Sequence, residues 1–210
     1  MIAQASLRER KKARTRASLR EHALRLFREQ GYQATTVEQI AAAAEVSPST
    51  FFRYFPTKED VVLQDDMDTR MVEAFARQPA DLSPIAAVRS ATREAWNSFT
   101  PEEWAQIMEG AKLSVYVPEI RARALNEYSR MINVIAGALA SRVGREPDDF
   151  RVRVLAGAVV GVMMAVLVPD NLDPETEAEA EAVAGSFMGP DAVSRVDEAL
   201  GLLEQGLPFS

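Results

Sequence analysis

Cysteine is absent from all 210 residues, which excludes disulfide frameworks, thiolate-zinc clusters and cysteine nucleophiles. That absence fits a reducing cytoplasm. Histidine occurs once, as His22, on a basic helix between Glu21 and Arg25 and far from the aromatic part of the chain. Neither a glycine-rich phosphate loop nor a serine elbow is present, so an enzyme would have to work with paired carboxylates. The longest apolar run, Val154 to Val168, falls short of the roughly 20 residues that span a bilayer. The first ten residues lack the apolar core of a signal peptide. The expectation is a soluble cytoplasmic chain with no cofactor, no metal and no membrane partner.

Charge is present in quantity, and it is divided. The chain carries a net charge of -7 with a pI near 4.9, a balance that argues against a nucleic-acid partner. From Met1 to Lys58, however, 11 basic residues face 5 acidic ones, whereas the remainder holds 13 against 26. A basic head can approach phosphates while an acidic body is repelled, which orients the molecule on a duplex. A flexible basic tail without a partner is the plainer alternative.

Helix punctuation recurs along the whole chain and no segment reads as a strand. Gly31 stops a first helix from about Thr15, with Leu19, Ala23, Leu26 and Phe27 at helical spacing. Thr36 caps a second, with Val37, Ile40 and Ala44 inward, and Ser47-Pro48 opens a third. Thr57-Lys58-Glu59-Asp60 starts a fourth that is expected to continue to Gln78. Further starts lie at Ser83-Pro84, Thr100-Pro101-Glu102-Glu103, Pro118, Pro147, Pro174 and Pro190. The fold class is all-α, with nine or ten helices.

The turn Glu45-Val46-Ser47 is brief, as a helix-turn-helix requires. The third helix has barely two turns and is unusually aromatic. Its spacing puts Phe51 and Phe55 inward, against Ile40 and Phe27, and leaves Ser49, Thr50, Arg53 and Tyr54 outward. Small hydroxyls permit close approach to a groove, and arginine offers a fork to guanine or phosphate. The run Arg8, Arg10, Lys11, Lys12, Arg14, Arg16 reads as a mobile arm adding affinity through counterion release.

At these residues the sequence resembles the TetR family of regulators. The resemblance rests on TTVEQIAAAAEVSPSTFFRYFPTKEDVV, Thr35 to Val62, preceded by Leu26-Phe27 and Gly31-Tyr32. It implies an N-terminal three-helix DNA-binding domain over 1–56 and a larger helical ligand-binding and dimerisation domain over 57–210. It also implies a homodimer on double-stranded operator DNA, with Ser49 and Thr50 nearest base edges and Pro48 on thymine methyls. Tyr54, Lys58 and Thr36 would hold phosphates. Phe52 departs from the family's usual tyrosine, so apolar contact, with help from Arg53, replaces a hydroxyl. Each residue also has a plainer reading: Thr36 as a cap only, Tyr54 as packing, Lys58 as a solvated helix-start residue.

Beyond Gln78 no specific resemblance remains. Trp96, Phe99, Trp104, Met108, Tyr116, Tyr128, Met131, Met163 and Met164 concentrate there, either as core or as the lining of an apolar cavity for a small-molecule effector. The FFRYFPTK variant looks like a branch with members that bind acyl-CoA-type ligands. Val154 to Val168 is apolar nearly all round and must be covered on every side. A subunit interface solves that, with Gly157 and Gly161 allowing close approach and Val193, Val196, Leu200 and Leu203 completing a four-helix bundle. The acidic stretch Asp173, Glu175, Glu177, Glu179, Glu181 suggests a solvated helix start rather than metal. The leading reading is a ligand-released regulator, a repressor by family habit. The rivals are a helical partner-binding protein without DNA binding, and a helical enzyme.

Overall fold

A computed structural model describes residues 7–63, 67–167, 176–189 and 191–206, and among these residues every regular element is an α-helix. The chain divides into two compact units, Met1–Gln64 and Asp65–Ser210. The division falls later than the expected 56/57 because the short α4, Asp60–Leu63, packs on α1.

In the first unit, α1 spans Leu7–Gln30, α2 Val37–Ala43 and α3 Pro48–Tyr54. Leu19, Ala23, Phe27, Ile40, Phe51, Phe55 and Val61 are all buried and form its core. Helix α1 begins well before Thr15, so the basic run expected as a mobile arm is helical from Leu7 onward. Arginine, lysine, alanine and leucine are strong helix formers, and Thr15 Oγ1 donates back to the Lys11 carbonyl at 3.0 Å. The helix ends at Gly31, whose φ of 84° suits glycine's freedom in the left-handed region.

The second unit holds α5 Met67–Arg77, α6 Pro84–Asn97, α7 Pro101–Tyr116, α8 Pro118–Val143, α9 Phe150–Leu167, α10 Glu177–Met188 and α11 Ala192–Glu204. The fourth helix expected to run unbroken to Gln78 is described as α4 and α5, and residues 64–66 between them lie outside the described residues. The capped starts of α6 and α7 stand where the sequence put them: Ser83 Oγ accepts from the Ala86 amide, and Thr100 closes a capping box with Glu103. Helix α9 starts at Phe150 rather than Pro147 because the Asp149 carboxylate accepts from the amides of Arg151 and Val152. Asp173 and Glu175 lie outside the described residues. Glu179 closes a capping box with Thr176, so it serves a helix start.

Helix α9 is the layer on which α8 and α11 pack. It buries Val152, Ala156, Val159, Val160 and Met163. Its 18 residues have a mean hydropathy of 1.9, long and apolar enough to cross a membrane by length and composition alone. Core helices of helical bundles meet the same test, and α9 packs against α8 and α11.

Two arginines of α6 clamp α11. Arg89 forms a two-bond fork to Asp197 and reaches Glu204, while Arg93 bonds Asp197 Oδ1, the oxygen that Arg89 Nε also reaches, at 2.9 Å. The Arg89 hydrogen bond, outweighing a smaller effect of burial and joined by Arg93, holds the Asp197 pKa below the ordinary carboxylate value. The folded state thus favours the charged form. Its contribution is complete above about pH 4 to 5 and is lost as the pH falls through the depressed folded value. Asp197→Asn is expected to cost about 1–2 kcal/mol at neutral pH and to flatten the acid limb of the stability curve. Denaturant melts at pH 7 and pH 3.5 check this; equal losses at both would refute it.

Candidate nucleic-acid interface and internal cavity

The geometry of the first unit begins at its caps. Thr36 Oγ1 accepts from the Gln39 amide at 3.3 Å, and the Gln39 side chain accepts from the Thr36 amide at 2.9 Å. Gln30 Nε2 reaches the same Gln39 oxygen at 3.0 Å and thereby ties the end of α1 to the start of α2. The α2–α3 turn is made by Glu45, whose φ of 55° is left-handed, and by the Val46 amide, which bonds the Ala41 carbonyl. Ser47 then caps α3 by accepting from the Thr50 amide, with Pro48 at the first helical position.

Helix α3 has two faces. Phe51 and Phe55 are fully buried, with ring centroids 5.8 Å apart. Pro48, Ser49, Phe52 and Arg53 are exposed, and Thr50 and Tyr54 are half-buried. Phe52 is 51% exposed although its ring meets Phe51 edge-on. Arg53 lies over the Tyr54 ring at 5.4 Å, which holds the guanidinium along the helix. Ser47, Ser49 and Thr50 share hydroxyl contacts of 2.8 and 3.0 Å. The exposed face therefore offers hydroxyl donors and acceptors, one guanidinium fork and one apolar ring within two turns.

Thr36 is exposed at the start of α2. Lys58 differs from expectation. Its ammonium donates to the carbonyls of Tyr32 and Thr35 at 2.9 and 3.0 Å and sits 3.9 Å from the Tyr32 ring centre. Rather than standing as a solvated helix-start cation, it latches the 31–35 turn to the beginning of α4. Glu59 beside it bonds the Tyr32 hydroxyl. Burial raises the Glu59 pKa, but the bonds from Tyr32, its own amide and Thr57, with the charge of Lys58, outweigh that and leave it lowered. Asp60, fully buried, exchanges bonds with Thr57 at 3.0 and 3.3 Å. Local spacing marks the helix start here but not the latch, since nothing in it brings Lys58 to Tyr32.

In the second unit a cavity of about 220 Å³ lies among α5, α6, α8, α9 and α11. Trp96, Tyr128, Met131 and Met163 line it as anticipated. Met164, expected in the same group, also lines it, as do Met67, Met71, Thr92 and Val196, which the sequence does not mark as lining. Burial raises the Tyr128 pKa, so its hydroxyl stays protonated. Trp96 further borders a more open pocket of about 410 Å³, with Trp104, Met108 and Met188; its ring lies 4.7 Å from that of Trp104. Phe99 and Tyr116 line neither. Phe99 is covered by Arg70 at 4.0 Å, and Tyr116 is 44% exposed at the end of α7.

The expected interface residues separate into two groups. Val196 and Leu200 belong to the subunit's own core, at 1% and 0% exposure, and Leu203 packs against the same core. They face inward because α11 must cover α6 and α9 of its own chain. Val193 is half-buried. Gly157 and Gly161, by contrast, have nothing within 4 Å of where a Cβ would sit. They share one stripe of α9 with Phe150 and Val154, which are 80% and 54% exposed.

An all-helical chain with an N-terminal helix-turn-helix and a separate helical unit enclosing an apolar cavity has the build of a one-component transcriptional regulator. The family model for bacterial regulatory proteins of the tetR family matches residues 19–64, and that of the MftR C-terminal domain matches residues 82–208. The chain belongs to the TetR family of bacterial transcriptional regulators. It is 36% identical to the HTH-type transcriptional regulator TcmR of Streptomyces glaucescens, over 85% of this chain and 82% of that protein. It is 25% identical to MftR of Mycobacterium tuberculosis, over 85% of this chain and 90% of that protein. Among solved structures it is similar to Thermus thermophilus FadR, a TetR-family repressor in complex with lauroyl-CoA. That match has 26% identity and a TM-score of 0.53, and covers 93% of this chain and 96% of the other.

Proposed function

We propose that this regulator binds a palindromic double-stranded operator as a homodimer, acts as a repressor in the cytoplasm, and is released when a small apolar or amphipathic effector fills the cavity of the second unit. The observation that carries the reading is the two-faced α3: Phe51 and Phe55 buried behind it, Pro48, Ser49, Phe52 and Arg53 exposed in front. On this reading Ser49, Thr50 and Arg53 meet base edges, and Pro48 and Phe52 meet thymine methyls. Thr36 and Tyr54 hold phosphates from either side. The Lys58 ammonium contributes by bracing the turn ahead of α2 rather than as a free phosphate cation.

The homodimer is supported by the uncovered stripe of α9, where Gly157 and Gly161 leave room for a partner helix. A two-fold pair presents two recognition helices, which must lie about 34–36 Å apart to meet successive major grooves. An effector that binds better to another spacing draws the population off DNA. Residues 1–56 on this reading recognise DNA and the remainder senses and dimerises, with α4 grouped by its packing on α1.

The test is a titration of a duplex taken from the gene's own upstream region, at several salt concentrations, alongside sedimentation of the free protein. A two-chain species is expected, with a log–log salt slope of roughly -5 to -9 for six to ten phosphate contacts. Flat salt dependence, or a one-chain species at micromolar concentration, would falsify the operator-dimer reading.

A further inference from the structure

We propose that the cavity among α5, α6, α8, α9 and α11 takes an uncharged ligand with more than one aromatic ring, and that anionic lipids such as fatty acids and acyl-CoA thioesters are poor ligands for it. The proposal rests on the reading of this cavity as the effector site and narrows the chemistry of what fills it.

Charge is the first argument. Among the described lining residues Asp68 is the one ionisable at neutral pH, and it is held by Arg130 at 2.6 Å. Arg130 is shared with Glu127, and the neighbouring Arg70 is bound to Glu103. A carboxylate or phosphate entering this space meets no lysine or arginine among the described lining residues, and an anion taken out of water without a partner is strongly disfavoured.

The wall itself is the second argument. Five methionines, Met67, Met71, Met131, Met163 and Met164, face the space together with Trp96. Thioethers and indole are polarisable and make favourable contacts with ring faces and edges. The polar handles are hydroxyls. Tyr128 is a neutral phenol at physiological pH, and Thr92 donates to the Val88 carbonyl at 2.9 Å, which leaves lone pairs for a ligand N–H or O–H. Volume agrees: an apolar cavity of about 150 Å³ holds a single benzene, and this one measures about 220 Å³.

The chain supplies its own reporter: of its two tryptophans, Trp96 lines the cavity and Trp104 stands 4.7 Å from the Trp96 ring. N-phenyl-1-naphthylamine, uncharged and multi-ringed with one N–H, is titrated into the full-length protein and then displaced with dodecanoate or lauroyl-CoA. The expected result is saturable binding with quenching of tryptophan emission. Displacement by either anion should need at least about tenfold higher concentration than binding of the probe itself. Val134→Phe, which fills the cavity, should weaken probe binding by about tenfold with helicity unchanged; Val72→Phe serves the same purpose should the first variant fold poorly. Tight displacement by dodecanoate or lauroyl-CoA overturns the proposal, as does probe binding indifferent to both filled variants. Operator release is read separately by gel shift. A probe that binds as expected yet leaves DNA bound overturns the effector reading and leaves the ligand class standing.

Discussion

Phe51→Ala is expected to unfold the N-terminal unit and abolish operator binding, whereas Phe52→Ala, one residue along, should leave the unit folded. Phe51 has no exposed surface, and Phe52 is 51% exposed. Truncating a buried phenylalanine removes its transfer free energy and leaves a cavity, at a cost of about 3–5 kcal/mol. A unit of this size buries too little surface to absorb such a loss. Phe55, also fully buried and in ring contact with Phe51, would lose its packing partner at the same time. The surface substitution should change stability by no more than about 0.5 kcal/mol and reduce DNA affinity through lost apolar contact alone. Thermal melts followed by circular dichroism, paired with gel shifts, separate the two. A Phe51→Ala melt superimposable on that of the parent would sink the assignment of α3's inner face.

Arg53→Ala tests the outer face. Loss of a bidentate arginine–guanine contact costs about 1–3 kcal/mol, or roughly five- to 160-fold in affinity, with specificity relaxed at one base pair. Loss of a phosphate contact would weaken every sequence alike and lower the salt slope by about one. The position of Arg53 over Tyr54 aligns the guanidinium with the exposed face, and the base-edge outcome is expected. Titrations of the operator and of single-base variants at two salt concentrations decide between them. An unchanged affinity would remove Arg53 from the interface altogether.

Helix starts were legible wherever a cap is a local event. Thr36, Ser47, Ser83 and Thr100 each satisfy an amide three residues on, so a few consecutive residues contain the whole interaction. The inward turn of Phe51 and Phe55 was legible for the same reason, since an i, i+4 pair must share a face. Membership of the TetR family was visible too, because the helix-turn-helix compresses its constraints into one contiguous stretch. The start of α1 was not. Its basic run is compatible with either a solvated arm or a solvated helix, and local composition does not separate them.

Partnership across distance was beyond the chain's one-dimensional pattern. Lys58 reads locally as a helix-start cation, and only folding brings its ammonium to Tyr32 and Thr35. Val196 and Leu200 read as an apolar stripe in need of a cover. Periodicity says that a face is buried and is silent on whose atoms bury it. The tertiary structure assigned that face to the subunit's own core and left the α9 stripe with Gly157 and Gly161 open. The cavity arose in the same way. Met67, Met71 and Thr92 come from α5 and α6, Met131 and Met163 from α8 and α9, and no spacing within one helix records what faces it from another. Local caps and helical periodicity determined that this chain is all-α and carries a helix-turn-helix. Which apolar surfaces are core, which line a cavity and which stay uncovered was decided by packing between helices, because burial belongs to pairs of surfaces and not to either one.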